Sequence, residues 1–318
     1  MSLMALDVHQ ASVVQVLTVS DADLSGLAAC RERLASMPHR ADNVGAVGAD
    51  WLRSLLGPTL VESIRGFAGC SHKALLLRGI GLSTAVPSPS NGFLPDAQCV
   101  LDFDLLHFGM LNLLGVRSHA VEYENHGKLV RNVVPVAQAA GTTSSWGADV
   151  DFSWHTDNPN WPFDDQASDV ARSVPNYLAF IAVRNHEQAS TDIVCVDHVL
   201  SCLPAWAIEE LSQPAFAFGA PASNEGHDGE QRVMPILERG ANGYRLRFDD
   251  GIVSASAAPA QAALSLLRQV LKDIQGIELV LQPGDFFIFK NARVLHRRKA
   301  FKPLPDGQAR WLRRVYGS

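Results

Sequence analysis

The chain has 318 residues, 27 Lys and Arg against 33 Asp and Glu, a formal charge of −6, and 47% hydrophobic residues. The apolar fraction at this length supplies a large buried core and excludes a disordered or fibrous chain. A mildly acidic balance without a Lys/Arg block gives no electrostatic footprint for nucleic acid or an anionic membrane, so neither is expected as a partner. No apolar run reaches the length of a membrane span, and the opening MSLMALDVHQ has neither a basic nor an apolar leader region; a cytoplasmic chain is expected. Cys30, Cys70, Cys99, Cys195 and Cys202 are scattered without CxxC spacing, which predicts reduced core thiols rather than disulfides or a zinc ribbon.

Along the chain, residues 21–36 carry Leu24, Leu27, Ala28 and Leu34 at helix spacing behind the N-cap candidates Ser20 and Asp21. A second helix is predicted over 49–66, interrupted near Gly57 and Pro58, so residues 1–72 read as mainly helical. From Lys73 the pattern turns to short β-rich runs: KALLLRGI, VEY at 121, LVRNVVPV, DVDFSWH and YLAFIAV. Residues 157–173 and 214–232 are rich in Pro, Gly, Asn and Asp and read as loops, candidate lids over a site. YRLRFDD reads as a strand, Pro259 to about Gln275 as an amphipathic helix, and IELVLQPGDFFIFKN, ARVLHRRKAF and ARWLRRVY as closing strands. With no repeat and no linker, these elements predict one α+β domain over 1–318, a jelly-roll core over 73–318 flanked by helices.

Three groups of residues carry chemistry. His155 and Asp157 form an HxD at a strand end, where residues i and i+2 face the same way; alone, such a pair equally suits a polar strand end. His296 follows a strongly apolar strand. Two histidines and one carboxylate from separate strands make a three-ligand face that leaves three positions open, as in non-haem Fe(II) oxygenases. The HExxH of a zinc hydrolase is absent. Fourteen residues after His296 stands Arg310, and four later Arg314; on a strand they share a face with Leu312. Such arginines protect an edge strand or act as forks for carboxylates.

In KALLLRG, VVPV, FSWHTDN, STDIVCVD, LQPGDFFIFKNARVLH and RWLRRVY the chain resembles the Fe(II)/2-oxoglutarate-dependent dioxygenases of the taurine dioxygenase and clavaminate synthase superfamily. The resemblance spans roughly residues 73–316. It implies a double-stranded β-helix core, Fe(II) on His155, Asp157 and His296, and dioxygen as cosubstrate. It further implies 2-oxoglutarate held by Arg310 and Thr191, with Ser190 as the alternative hydroxyl. Within the superfamily the chain looks most like hydroxylases of free amino acids such as asparagine, arginine and lysine oxygenases. In that branch Arg314 takes the substrate carboxylate, Asp250 with Asp249 beside it takes the side chain, and a polar residue of VEYENHG takes the α-amino group. Glu124 is the choice there, with Glu122 and Asn125 as neighbours. The presence of Asp157 implies hydroxylation or desaturation, since halogenating relatives lack that carboxylate.

The same pattern implies an L-amino acid with a basic side chain, lysine or arginine before asparagine, converted with release of succinate and CO2. The alternatives are an acidic substrate of the taurine branch and a catalytically silent jelly roll that binds without turnover. A turn acid ahead of Gly251 is the bland account of Asp249 and Asp250.

Overall fold

A computed structural model describes residues 12–318 except 222, 223, 225, 227 and 228; the opening segment and five positions of the second expected loop thus lie outside the described residues. Two sheets face each other. The larger runs β1 (Val14–Thr18), β2 (Ala74–Arg78), β14 (Phe286–Lys290), β6 (Tyr177–Arg184), β16 (Trp311–Gly317), β3 (Ser118–His119), with β4 (Arg131–Val133) also paired to β16. The smaller runs β13 (Ile277–Leu279), β7 (Thr191–Cys195), β15 (Val294–Arg298), β5 (Phe152–His155). Apart from the parallel pair β1–β2, the pairings are antiparallel. This is the expected α+β jelly roll.

The two-residue period of a strand explains the layers. In β2 and β14, Leu75, Leu77, Phe286 and Ile288 point to a helical layer, whereas Leu76, Phe287 and Phe289 fill the space between the sheets. Both faces of these strands are covered, so they read as continuous apolar runs rather than alternating ones. In β16 the same alternation holds: Trp311 and Val315 face the helices, and Leu312 and Tyr316 face inward. The helical layer comprises α1 (Gly26–Ala35), α2 (Ala41–Arg65) and α3 (Leu101–Leu114). On the outer side of the smaller sheet, α4 (Val196–Ser201), α5 (Ala205–Leu211) and α6 (Ala258–Asp273) enclose a second core.

Helix α3 corrects the expectation that the centre is all β. Its sequence LDFDLLHFGMLNLL is apolar on every side, with 11 buried residues, so no polar stripe marks it as a helix. It packs so closely on α2 that a Cβ at Gly48 would come 2.0 Å from Leu105 O. The break expected near Gly57 is present, with φ of 71° at that residue inside α2.

Other expectations change as well. Helix α1 starts at Gly26, five residues later than Asp21, which instead has φ of 53° in a turn. The stretch VQVLT, within the segment read as helical, is strand β1. VEY at 121 is a turn, although Val121 and Tyr123 are buried. The loop 214–232 contains β8 (Phe216–Gly219) and enters β9 (Gln231–Met234). These two strands pair with β12 (Val253–Ala255) in a small sheet, beside the hairpin of β10 (Leu237–Gly240) and β11 (Gly243–Leu246). All five cysteines are free, but only Cys30 and Cys195 are buried; Cys99 and Cys202 are exposed. Among the described residues no helix is long and apolar enough to cross a membrane.

Two features bear on stability. Loop 157–173 is fastened by stacking: Arg232 lies 3.9 Å from the Trp161 ring, and Arg245 and Arg247 lie 4.3 and 4.0 Å from the Phe163 ring. Arg247 also donates to Trp161 O at 3.2 Å. In α3, His107 is fully buried between the rings of Phe108 and Phe286. Burial, with Arg313 nearby, pushes it down to about 3. The unfolded chain therefore takes up this proton first as pH falls, and stability drops from about pH 6.5 toward pH 3. Between pH 7.5 and 5 the wild type is expected to lose about 2 kcal/mol more than His107→Leu in urea unfolding. Equal losses in the two proteins would remove His107 as the cause.

Candidate active site

Strands β5 and β15 run antiparallel with His155 directly opposite His296, and their rings lie 4.0 Å apart between centroids. Asp157 follows the end of β5. Its Oδ1 lies 3.5 Å from His155 Nε2 and 3.4 Å from His296 Nε2. One ligand atom from each of the three residues falls within 4.8 Å of the others. The HxD spacing and the cross-strand register thus assemble the three residues predicted from sequence.

Their chemistry fits a divalent cation. His155 Nδ1 lies 2.7 Å from Ser153 O, which can only accept, so Nδ1 carries the hydrogen and the Nε2 lone pair faces the centre. That Nε2 is buried without a hydrogen-bond partner, an orphaned acceptor that a cation would satisfy. Burial alone would raise the Asp157 carboxyl, but the Arg314 guanidinium and the two imidazoles hold it well below the usual carboxylate range. Burial and the adjacent His155 push His296 down to about 4. The carboxylate is charged and His296 neutral at neutral pH, the states that bind metal.

The backbone around Asp157 is pinned from two sides. Asn291, fully buried, accepts the Asp157 N–H at 3.1 Å and donates to Asp157 O at 3.1 Å. Thr156 N–H donates to Phe248 O at 2.8 Å, and Phe248 N–H donates to Thr156 Oγ1 at 3.0 Å. Asn158 then turns the chain away with φ of 53°.

Arg310 immediately precedes β16, and its Nη2 donates to Thr191 Oγ1 at 2.8 Å. Its Nε has no partner, and no carboxylate of the described residues forms an ion pair with it. Burial, with Arg298 nearby, pushes its pKa down to about 9. The nearby Glu187 carboxylate accepts the Arg310 backbone N–H at 2.9 Å rather than pairing with the guanidinium, and a buried cation without a direct ion pair calls for an anionic ligand. Arg310, Thr191, His155, Asp157 and His296 line one small compartment. Of the two hydroxyls weighed from sequence, it is that of Thr191 that Arg310 meets.

A larger cavity of about 450 Å³ opens on the other side of His155 and Asp157. Glu124, Arg314, Asp249 and Asp250 all line it. Glu124 is delivered there by a tight turn: Asn125, His126 and Gly127 all have φ between 52° and 67°, and Asn125 Nδ2 bonds Lys128 O and Val130 O. The residues predicted for the two ends of an amino acid meet each other, since Arg314 Nη2 pairs with Glu124 Oε1. Arg314 Nη1 also reaches Asp157 Oδ2 at 2.5 Å. Tyr316 OH lies 2.7 Å from Glu124 Oε2 and 3.1 Å from Asp157 Oδ2.

Asp250 is exposed and paired with Arg268. Asp249 is half-buried and accepts the Gly251 N–H at 2.9 Å, as a turn acid would. Glu122 is exposed, and Asn125 serves the turn. Sequence reasoning missed Asn291, Arg131 and Tyr316. Strand alternation was a usable signal for Tyr316, two residues beyond Arg314, and none existed for Asn291.

The family described as Taurine catabolism dioxygenase TauD, TfdA family matches residues 222–316. The L-lysine 3-hydroxylase of Catenulispora acidiphila is 26% identical over 208 residues, 63% of this chain and 54% of that protein. The L-asparagine oxygenase of Streptomyces coelicolor is 26% identical over 61% of this chain and 55% of that protein. The chain thus spans about half the length of these curated relatives. Among solved structures, the non-heme iron oxygenase OrfP in complex with Fe and alpha-ketoglutaric acid has a TM-score of 0.78 at 22% identity, covering 95% of this chain and 93% of the other. An asparagine oxygenase in complex with Fe(II), 3-hydroxyasparagine and succinate has a TM-score of 0.75 at 23% identity, covering 95% and 92%. The part of the chain similar to the TauD, TfdA family carries His296, Arg310 and Arg314, and the jelly roll brings His296 opposite the HxD of β5.

Proposed function

We propose that the chain is an Fe(II)/2-oxoglutarate-dependent oxygenase that hydroxylates an unactivated C–H of an L-amino acid with a basic side chain. The observation that carries this reading is Arg310, a buried guanidinium with no ion-pair partner among the described residues, hydrogen-bonded to Thr191 beside three converging metal-ligand side chains. His155, Asp157 and His296 would hold Fe(II), and Arg310 with Thr191 would grip the distal carboxylate of 2-oxoglutarate. Bound together, the metal, the cosubstrate and dioxygen supply the oxidising power and release succinate and CO2. The chain orients the substrate and keeps water out. Arg314 would bind the α-carboxylate and Glu124 the α-ammonium. The lysine, asparagine and arginine-related relatives support an amino acid as substrate. An absorption band on anaerobic addition of Fe(II) and 2-oxoglutarate tests the cofactor pair, and amino-acid-dependent succinate formation tests the substrate class. Absence of the band would leave a silent binder.

For side-chain choice the weight falls on Asp249, because Arg268 already neutralises Asp250. Asp249→Asn is expected to cost the best basic substrate about 1.5 to 3 kcal/mol in kcat/KM and to favour neutral analogues relatively. Asp250→Asn is expected to have the smaller effect. Steady-state kinetics on Lys, Arg, Gln, Asn and Leu decide the point. Preference of the wild type for Leu would end the basic-side-chain reading and leave the oxygenase intact.

A further inference from the structure

Strand register puts Arg131 of β4 directly opposite Arg314 of β16. Both are buried, at 6% and 8% exposure, and like charges at directly opposed positions repel. One carboxylate sits between them: Glu124 Oε1 pairs with Arg314 Nη2 and lies 3.4 Å from Arg131 Nη1. Arg131 is built in rather than adventitious. Its Nε donates to Ser145 Oγ at 2.7 Å, and its guanidinium lies 4.5 Å from the Trp146 ring centroid. Both arginines and Glu124 line the 450 Å³ cavity.

The charges balance only while Asp157 neutralises Arg314. Once Asp157 is committed to a metal, two guanidiniums share the single carboxylate of Glu124, and the cluster lacks one negative charge. A substrate α-carboxylate on Arg314 takes the place of Asp157, and Glu124, released by Arg314, still has Arg131 and the Tyr316 hydroxyl as partners.

Resting on the amino-acid reading above, we infer that Arg131 is a positioning residue that keeps Glu124 in place for the substrate α-ammonium while Arg314 turns to the α-carboxylate. An amide or thioester at the α-carbonyl would leave Arg314 without its carboxylate, and an N-acyl group would remove the ammonium that Glu124 is placed to meet.

The test is calorimetric binding to the full chain loaded anaerobically with Co(II), with no turnover involved. The probes are L-lysine, 6-aminohexanoate, which lacks the α-amine, and 1,5-diaminopentane, which lacks the α-carboxylate. If arginine binds better, L-arginine, 5-guanidinopentanoate and agmatine replace them. In Arg131→Gln the preference for the amino acid over the analogue without its α-amine is expected to fall at least about 10-fold, while the preference over the analogue without its carboxylate stays within about three-fold. Arg131→Lys keeps the charge and loses the Trp146 stack and the fork, so it is expected to shift the same preference less; it carries the test if the Gln variant melts. A fall of both preferences together, or of neither, overturns the inference and leaves the amino-acid reading standing. Failure of the wild type to bind any amino acid overturns both.

Discussion

Replacing His155 or His296 with Ala is expected to abolish Fe(II)-dependent turnover while the fold persists. The loss follows from the geometry: each imidazole supplies one of three convergent donors, and two donors do not define the face on which the remaining positions are left open. Outer partners of metal ligands typically change affinity by about 10- to 100-fold, and direct ligands should exceed that range in a Co(II) titration. The fold survives because β5–β15 pairing is made by backbone groups, and Asp157 keeps Arg314 as a counter-ion in either variant. Circular dichroism and metal content measured on the same samples separate the two outcomes. Near-wild-type turnover in either variant would remove the ligand assignment.

Arg310→Lys is expected to weaken 2-oxoglutarate by about 2 to 3 kcal/mol, or roughly 30- to 150-fold, with a smaller effect on the amino acid. A planar guanidinium offers a carboxylate two parallel hydrogen bonds, whereas an ammonium offers a point charge on a flexible stem. The Thr191 hydroxyl aligns the fork at 2.8 Å, and Lys cannot keep that contact and the carboxylate in one geometry. Fluorescence or spectral titration with 2-oxoglutarate under anaerobic conditions reads the effect without turnover. An unchanged dissociation constant sinks the assignment of Arg310.

The convergence of His155, Asp157 and His296 was legible because it follows from strand alternation and a short-range motif, whereas the pairing of Arg310 with Thr191 was legible only through the resemblance. His155 and Asp157 are two residues apart, and Arg310, Leu312 and Arg314 line one compartment as period-two spacing required. The helix α3 was illegible because it is buried on every side, which erases the polar stripe that marks surface helices. Strand β1 is five residues long and pairs with β2 across a long, mainly helical excursion, so no local turn announces it. The Glu124–Arg314–Tyr316–Asp157 network depends on tertiary contacts between residues 157 to 192 positions apart, and spacing in sequence is silent about such pairings. The pairing of Asp250 with Arg268 was hidden for a related reason: the partner stands 18 residues on, in helix α6, and only the docking of that helix brings the two together.

The stacking that fastens loop 157–173 has a consequence for redesign of the pocket. Only Asn158, Pro159 and Asn160 separate the ligand Asp157 from the clasped Trp161, a tether of about 13 Å at full stretch. This segment is a strap tied at both ends, and Trp161 cannot lift without pulling on Asp157. Substitutions at Trp161 or Phe163 would therefore be read out as altered metal retention. Pro221 lines the same cavity but is not tethered in sequence to Asp157, and a library of variants aimed at new substrates belongs at that position.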